Sequence, residues 1–443
     1  MLENIIELLK SRQYAKLKVI VNDLNEADIS EILDELSKEN AAILFRLLDK
    51  DIAADVFSRM ENDTQELLME ALTNEEIHEI SSQLFVDDVV DIVSELPSNL
   101  VTKLLRNTDP SKRRIVNELL KYPEDSAGSI MTTEFVDLTV NMMVSEAFEW
   151  IRKIGFNKET IYTCYVIDEK RKLVGVTAVK DMIFEDKNTL ISEFMEDQVI
   201  TVNTHDDRED VVHMFDKYDF LAMPVVDKEN RLVGIITVDD AMDVMSEESE
   251  EDFEIMAAMS PSEDSYFKTS VFEHTKNRIV WLLVLMLSST ITGMIITHYQ
   301  DAFASLPILV SFIPMLMDTG GNCGSQSSTM IIRGLATKEI EFKDIFKVWF
   351  KEVRIALLVG ICLALVNGVR IMIQYRNPLL AVLIGITLMC TVVLAKSLGC
   401  ILPMLADKLH LDPAIMASPM ITTICDACST LIYFNVATFL FSI

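Results

Sequence analysis

Positive charge is scarce in the first 273 residues, which hold 27 of the 39 Lys and Arg against 60 of the 69 Asp and Glu, a formal excess of 33 negative charges. That shortage excludes nucleic acid and anionic lipid headgroups as partners of this part, because both would repel it. It favours cations. A surface made acidic only for solubility is the competing reading, and it fits small imbalances better than one of this size. Cysteine is also scarce: of seven, Cys164 stands alone and six (Cys323, Cys362, Cys390, Cys400, Cys425, Cys428) lie in the second half. This excludes a disulfide framework and suits a reducing compartment. The chain lacks a phosphate-binding glycine loop followed by Lys, a His-rich metal motif and a nucleophile–base pairing, so no enzyme is expected. Met1 to Leu9 lack the basic head and small-residue cleavage site of a secretory signal, so the acidic half is expected to stay on the side of synthesis.

What is present divides the chain in two. After residue 273 there are 12 basic and 9 acidic residues among long apolar runs. A soluble cation-binding part fused to a membrane part is the economical reading.

The first third carries a 12-residue period in Leu36, Leu48, Met60, Leu72, Leu84 and Leu96. Each unit opens on a cap-like polar residue and then places apolar residues at helical spacing, as with Ile77, Ile80 and Leu84 after Thr73. One such unit is too short to stand alone, so neighbours must stack. Residues 1–121 are expected to form a right-handed helical superhelix, with an irregular helical bundle as the alternative.

The second third contains a repeat. Tyr165-Val166-Ile167-Asp168 through Val176 matches Pro224-Val225-Val226-Asp227 through Ile235 at an offset of 59. Each copy reads strand, charged turn, strand, helix start, which means two pseudo-symmetric α/β units. Residues 125–245 resemble a tandem pair of cystathionine-β-synthase (CBS) domains. In that family a Thr or Ser followed three residues later by Asp can hold a ribose. The second copy keeps this pattern as Thr237-Val238-Asp239-Asp240, whereas the first has Ala178 at the hydroxyl position. A nucleotide such as ATP on Thr237 and Asp240, and a pair that binds none, are both open.

Acidic residues gather around this pair: Asp207, Glu209 and Asp219, then Asp239, Asp240 and Asp243, then Glu247-Glu248-Ser249-Glu250-Glu251-Asp252. On a helix Asp240 and Asp243 share a face, as do Glu248 and Glu251. Carboxylates that close repel unless a hard divalent cation lies between them, and oxygen-only ligands point to Mg2+ or Ca2+ rather than Zn2+. A solvated acidic face is the competing reading.

Five apolar stretches follow, at about 279–297, 306–332, 349–373, 379–405 and 413–443. The gap after the first holds His298 and Asp301 but no Lys or Arg, whereas the gap after the second holds Arg333, Lys338, Lys343 and Lys347. The positive-inside rule puts the soluble half in the cytoplasm and the C-terminus outside. The second stretch contains Gly320-Gly321-Asn322-Cys323-Gly324-Ser325-Gln326 and cannot face lipid without unsatisfied polar groups. Asn322 and Gln326 are candidate pathway-lining residues, with glycine-mediated helix packing as the alternative. In the fifth stretch Asp426 follows Thr422 and Thr423. A mid-bilayer carboxylate marks an ion or proton pathway by default, although Lys396 could neutralise it. One carboxylate per chain suits an ion that keeps most of its water, as Mg2+ does, especially where two chains face each other.

With these motifs in hand, the chain resembles an MgtE-type magnesium channel over its whole length. The resemblance rests on Tyr122-Pro123-Glu124-Asp125-Ser126-Ala127-Gly128, the glycine-rich segment, and Asp412-Pro413-Ala414 with Pro419, Thr422, Thr423 and Asp426. It implies a helical superhelix N domain (1–121), an α/β tandem CBS pair (122–245), a connecting helix (246–273) and an all-α five-helix transmembrane domain (274–443). It implies a homodimer in the cell (inner) membrane that conducts Mg2+ and closes when cytosolic Mg2+ binds. Asp426 would be the pore ligand. Asp240, Asp243, Glu248, Glu251, Asp252, Glu209 and Asp219 fall where the family places sensor carboxylates, with Asp87, Asp88 and Asp91 as weaker candidates. The main competing function is transport of Co2+, Mn2+ or Zn2+, suggested by Cys425-Asp426-Ala427-Cys428, although thiols three apart on a packed helix are more often small fillers. A non-transporting cation sensor is the other, and the polar second stretch argues against it.

Overall fold

The computed structural model describes residues 1–262, 266, 269–300 and 306–441. Asp301 lies outside the described residues. The chain forms two compact units, Met1–Met245 and Ser246–Ile443.

The first unit opens with ten short helices: α1 Leu2–Lys10, α2 Tyr14–Val21, α3 Glu26–Asp34, α4 Lys38–Phe45, α5 Lys50–Ser58, α6 Asn62–Ala71, α7 Asn74–Gln83, α8 Val86–Glu95, α9 Ser98–Asn107 and α10 Pro110–Leu119. They stack at one remove, α3 on α5, α5 on α7 and α7 on α9, with α4 on α6 and α8 on α10 in the other row. The 12-residue period therefore counts one helix and one turn. Leu72, Leu84 and Leu96 are the C-caps of α6, α7 and α8, buried where the backbone turns extended. Thr108 continues the series at the end of α9, its hydroxyl donating to Leu104 O at 2.9 Å.

Three of the basic residues of this region serve helix ends. Lys103 Nζ donates to Met69 O (2.6 Å) and Leu72 O (2.9 Å), and Lys112 Nζ donates to Ser81 O and Leu84 O. Arg46 donates to Ala71 O at 2.9 Å and pairs with Glu76. Cations thus meet the partly negative carbonyl ends of α6 and α7.

The repeat at offset 59 becomes two three-stranded sheets with the same pairing. In the first, β1 (Val136–Thr139) runs parallel to β2 (Thr163–Ile167), which pairs antiparallel with β3 (Leu173–Ala178). In the second, β4 (Val202–Asn203), β5 (Ala222–Val226) and β6 (Leu232–Thr237) repeat this. Helices α11 (Val144–Ile154) and α12 (Val179–Phe184) belong to the first copy, and α13 (Arg208–Tyr218) and the start of α14 (Val238–Met256) to the second. The two hairpin turns bond to each other, Leu173 N to Asn230 O and Leu232 N to Arg171 O, both at 3.1 Å. Gly175 and Gly234 are equivalent, and at both a linker lies on the strand: a Cβ on Gly234 would stand 2.8 Å from Thr132 O. The N-terminal helices and the second copy share one core.

The connecting segment differs from the single helix expected over 246–273. Helix α14 ends at Met256, Ala258 takes a left-handed φ of 56°, and Pro261 follows. A new helix, α15 (Val271–His298), starts at Ser270, whose hydroxyl accepts from Glu273 N. Proline after a left-handed residue cannot continue the ladder.

In the second unit α15 is followed by α16 (Ile313–Ala336), α17 (Ile345–Tyr375), α18 (Pro378–Lys408) and α19 (Ser418–Phe441). Among the described residues four helical segments, Val271–His298, Phe342–Tyr375, Pro378–Lys408 and Pro413–Phe441, are long and apolar enough to cross a membrane. Helix α16 has the length but is glycine- and hydroxyl-rich, and it packs against both α18 and α19.

Candidate metal sites

In the soluble unit the site grows from the N-terminus of α8. Four backbone N–H groups there lack helical partners. Asp88 accepts from Phe85 N at 3.2 Å, and Glu134, from the stretch before β1, accepts from Val86 N at 2.8 Å. Glu159 N donates to Glu134 O at 2.8 Å, bringing a second loop carboxylate to the same place. Asp87 is only 6% exposed, and its Oδ1, like Glu159 Oε2, has no hydrogen-bond partner among the described residues. Asp239 and Asp240, in the first turn of α14, act on this group electrostatically.

The crowding shifts the protonation of the cluster. Burial pushes Glu159 up to about 8, assisted by the charges of Asp240, Asp88, Asp239 and Glu134. Burial raises Asp240 to about 7, against the bond from Thr237. It raises Asp88 to about 6 and carries Asp87 well above the usual carboxylate range, with the Asp240 charge adding to it. Glu134 and Asp243 are raised as well, chiefly by burial. Buried like charges with unpartnered oxygens either hold protons or take a cation. Among the described residues no three His, Cys, Asp or Glu side chains stand close enough to hold a bare ion together. An oxygen-only, spaced set fits a hydrated cation such as Mg2+.

The structure thus brings Asp87, Asp88 and Asp240 together, and adds Glu134 and Glu159, which sequence reasoning missed. Both are single carboxylates in loops, without period or motif. Asp243 follows Asp240 by one helical turn, and Asp91, exposed, follows Asp87 and Asp88 on α8. Asp207 accepts from Glu209 N as the N-cap of α13, Glu209 lies 3.6 Å from His213, and Asp219 is the left-handed C-cap at φ 54°. These sit at opposite ends of an 11-residue helix, about 16 Å apart, and do not form one site. Glu248, Glu251 and Asp252 follow on α14 within the second unit. Thr237, 6% exposed, donates its hydroxyl to Asp240 Oδ2 at 2.5 Å, so the ribose-type pattern and the acidic cluster share a residue.

In the second unit the glycines of α16 make close contacts. A Cβ on Gly320 would stand 2.7 Å from Ser429 Oγ, one on Gly321 2.8 Å from Thr422 Cγ2, and one on Gly324 2.5 Å from Ile421 Cγ2. The opposite face carries Asp318, Asn322, Gln326 and Thr329, all exposed. Packing and an uncovered polar stripe therefore occupy two faces of one helix. Asp318 was legible as the start of the stripe at i, i+4 and i+8, and sequence reasoning missed it. Asp426 is half-buried on α19, one turn after Thr422 and within electrostatic range of Asp318. Its Oδ1 has no hydrogen-bond partner among the described residues. Thr423 donates to Pro419 O at 2.9 Å, a bond within its own helix. Lys396 is engaged elsewhere, 3.6 Å from Glu352, which removes the reading in which it neutralises Asp426. Cys425 is fully buried and lies 3.1 Å from where a Gly324 Cβ would be, as a filler does.

Comparison with known proteins places these features. The family model described as divalent cation transporter matches residues 313–436, that of the MgtE intracellular N domain matches 24–125, and that of the CBS domain matches 191–247. The magnesium transporter MgtE of Thermus thermophilus is 37% identical over 74% of this chain and 73% of its own, and that of Bacillus subtilis 35% identical over 80% and 78%. Among solved structures, the cytosolic domain of the Mg2+ channel MgtE in complex with ATP is 35% identical with a TM-score of 0.53, covering 55% of this chain and all of that one. The soluble part of a magnesium transporter is 31% identical with a TM-score of 0.52, over 56% and 98%. The chain belongs to the MgtE family of divalent cation transporters.

Proposed function

We propose that this protein conducts Mg2+ across the cell (inner) membrane as a homodimer, and that cytosolic Mg2+ closes it by binding its acidic soluble unit. The observation that carries the permeation half is the unpartnered carboxylate of Asp426 beside the polar stripe of α16, in the segment that matches the divalent cation transporter model. Lipid cannot cover Asp318, Asn322 and Gln326. A water-filled path does so, and a second copy facing the first doubles the carboxylates along it. Mg2+ keeps most of its water, so a pair of outer carboxylate contacts suits it better than a closed cage. The C-terminus then lies outside, with the N-terminal unit in the cytoplasm.

The sensing half rests on the buried set of Asp87, Asp88, Glu159 and Asp240, with Asp243 and Glu134 beside it. A cation there relieves repulsion that is otherwise relieved by protons. Glu209, Asp219 and Asp207 on α13, Asp91 on α8, and Glu248, Glu251 and Asp252 on α14 extend this acidic field. Shifting a gate from 1:99 to the reverse needs about 5.5 kcal/mol of differential binding, which several weak sites supply more readily than one. ATP binding at Thr237 and Asp240 is a second, compatible reading, supported by the ATP complex of the similar cytosolic domain.

The test is Mg2+ flux into vesicles containing the purified protein. Asp426→Ala should abolish flux in a folded dimer, and Asp426→Asn should lose it or its selectivity. Wild-type flux in folded Asp426→Ala would overturn the assignment.

A further inference from the structure

The second unit contains a buried charge network that the permeation path does not use. Lys396 of α18 is 5% exposed. Its Nζ donates to Ser327 Oγ of α16 at 3.0 Å and stands 3.6 Å from Glu352 Oε2 of α17. Ser327 donates to the same Glu352 oxygen at 2.6 Å. One cation, one hydroxyl and one carboxylate therefore join three helices. Buried ion pairs add little net stability over apolar packing, but fix geometry when fully bonded. In a membrane span such residues carry a function by default.

The network sits at a close crossing of two helices. A Cβ on Gly399, three residues after Lys396, would stand 2.4 Å from Gly324 O and 3.1 Å from Ser327 Cβ, so α16 and α18 touch backbone to backbone there. On its other side Gly324 meets Ile421 and Cys425 of α19, the latter next to Asp426. A close-packed chain runs from Glu352 through Lys396, Ser327 and Gly324 to Cys425, and such interiors transmit displacement.

We infer that Lys396, Ser327 and Glu352 are positioning residues for permeation: their network sets where α16 holds α19, and hence the spacing available to a hydrated ion at Asp426. This rests on the Mg2+-conducting reading above. Loosening the network should admit larger divalent ions.

The experiment compares Mg2+ and Ca2+ flux per folded molecule in vesicles for wild type, Ser327→Ala, Lys396→Met, the charge-free pair Lys396→Met/Glu352→Met, and Asp426→Ala. Folded protein is quantified by size-exclusion chromatography before reconstitution. The Ca2+-to-Mg2+ flux ratio should rise about tenfold in Ser327→Ala and in the charge-free pair, a coupling of the size packed networks carry. The pair should recover any folded yield that Lys396→Met loses, without recovering the ratio. A wild-type ratio in folded Ser327→Ala and in the folded pair would overturn the inference, as would loss of yield alone with the ratio unmoved. Full flux in Asp426→Ala would instead overturn the conducting reading itself.

Discussion

At the residue scale the soluble cluster has a definite pH signature. Glu159 moves from 4.5 to about 8 and Asp240 from 3.8 to about 7 on folding. Folded acids with raised values bind more protons than unfolded ones, so their stabilising share is present at low pH and is lost as pH rises through about 7 to 8. Without divalent ions, amide exchange in α8 of the full chain should therefore outpace its intrinsic base-catalysed rise between pH 6 and pH 8, seen as a falling protection factor. Millimolar Mg2+ should slow it more at pH 8 than at pH 6, because it then replaces fewer protons. A protection factor indifferent to both would remove the cluster from the sensor. Glu159→Gln removes a carboxyl that folding forces to hold a proton, and should raise the Mg2+-free unfolding midpoint of the soluble unit at pH 7 by about 2 °C, read by thermal denaturation. These carboxylates also mark how far the sequence could be read. Asp240 was legible from its helix-start motif. Glu134 and Glu159 were not, because a lone loop carboxylate looks the same whether it faces water or folds back to meet the N-terminus of α8. Nor could the sequence decide whether Lys396 would meet Asp426 or Glu352, since both choices place the amine inside the second unit.

At the scale of elements the helices of the second unit are spaced by their small residues. Gly399→Ala would push a methyl into Gly324 O, where backbone must move, and should cost about 1–3 kcal/mol. Its thermal midpoint in detergent should fall, and its Mg2+ flux with it. The double change Cys425→Ala/Cys428→Ala removes only fillers, and flux should stay near wild type. Loss of flux together with loss of Cd2+ binding would favour a soft-metal transporter instead. The 12-residue period and the offset of 59 were read correctly as elements because each recurs and repetition averages out local noise. The segment after the CBS pair was misjudged because Ala258 adopts a left-handed turn that its type does not announce.

At the scale of the whole molecule the proposed function makes the acidic half the regulator of the membrane half. Removing residues 1–245 should leave flux that cytosolic Mg2+ inhibits less, measured in vesicles with Mg2+ varied on the inner side alone. Closure at an unchanged Mg2+ level would relieve the soluble half of that role. One feature of the helical stack bears on this balance. Lys103, Lys112 and Arg46 are already bound to the carbonyl ends of neighbouring helices. Those cations are tied up as internal fastenings, and reaching the carboxylates of another surface would cost them these bonds. Sodium or potassium screens charges farther apart than a Debye length of about 8 Å and leaves closer carboxylates repelling one another. The protein has in effect locked away part of its own counter-charge, which leaves the proposed sensing to multivalent ions from the medium.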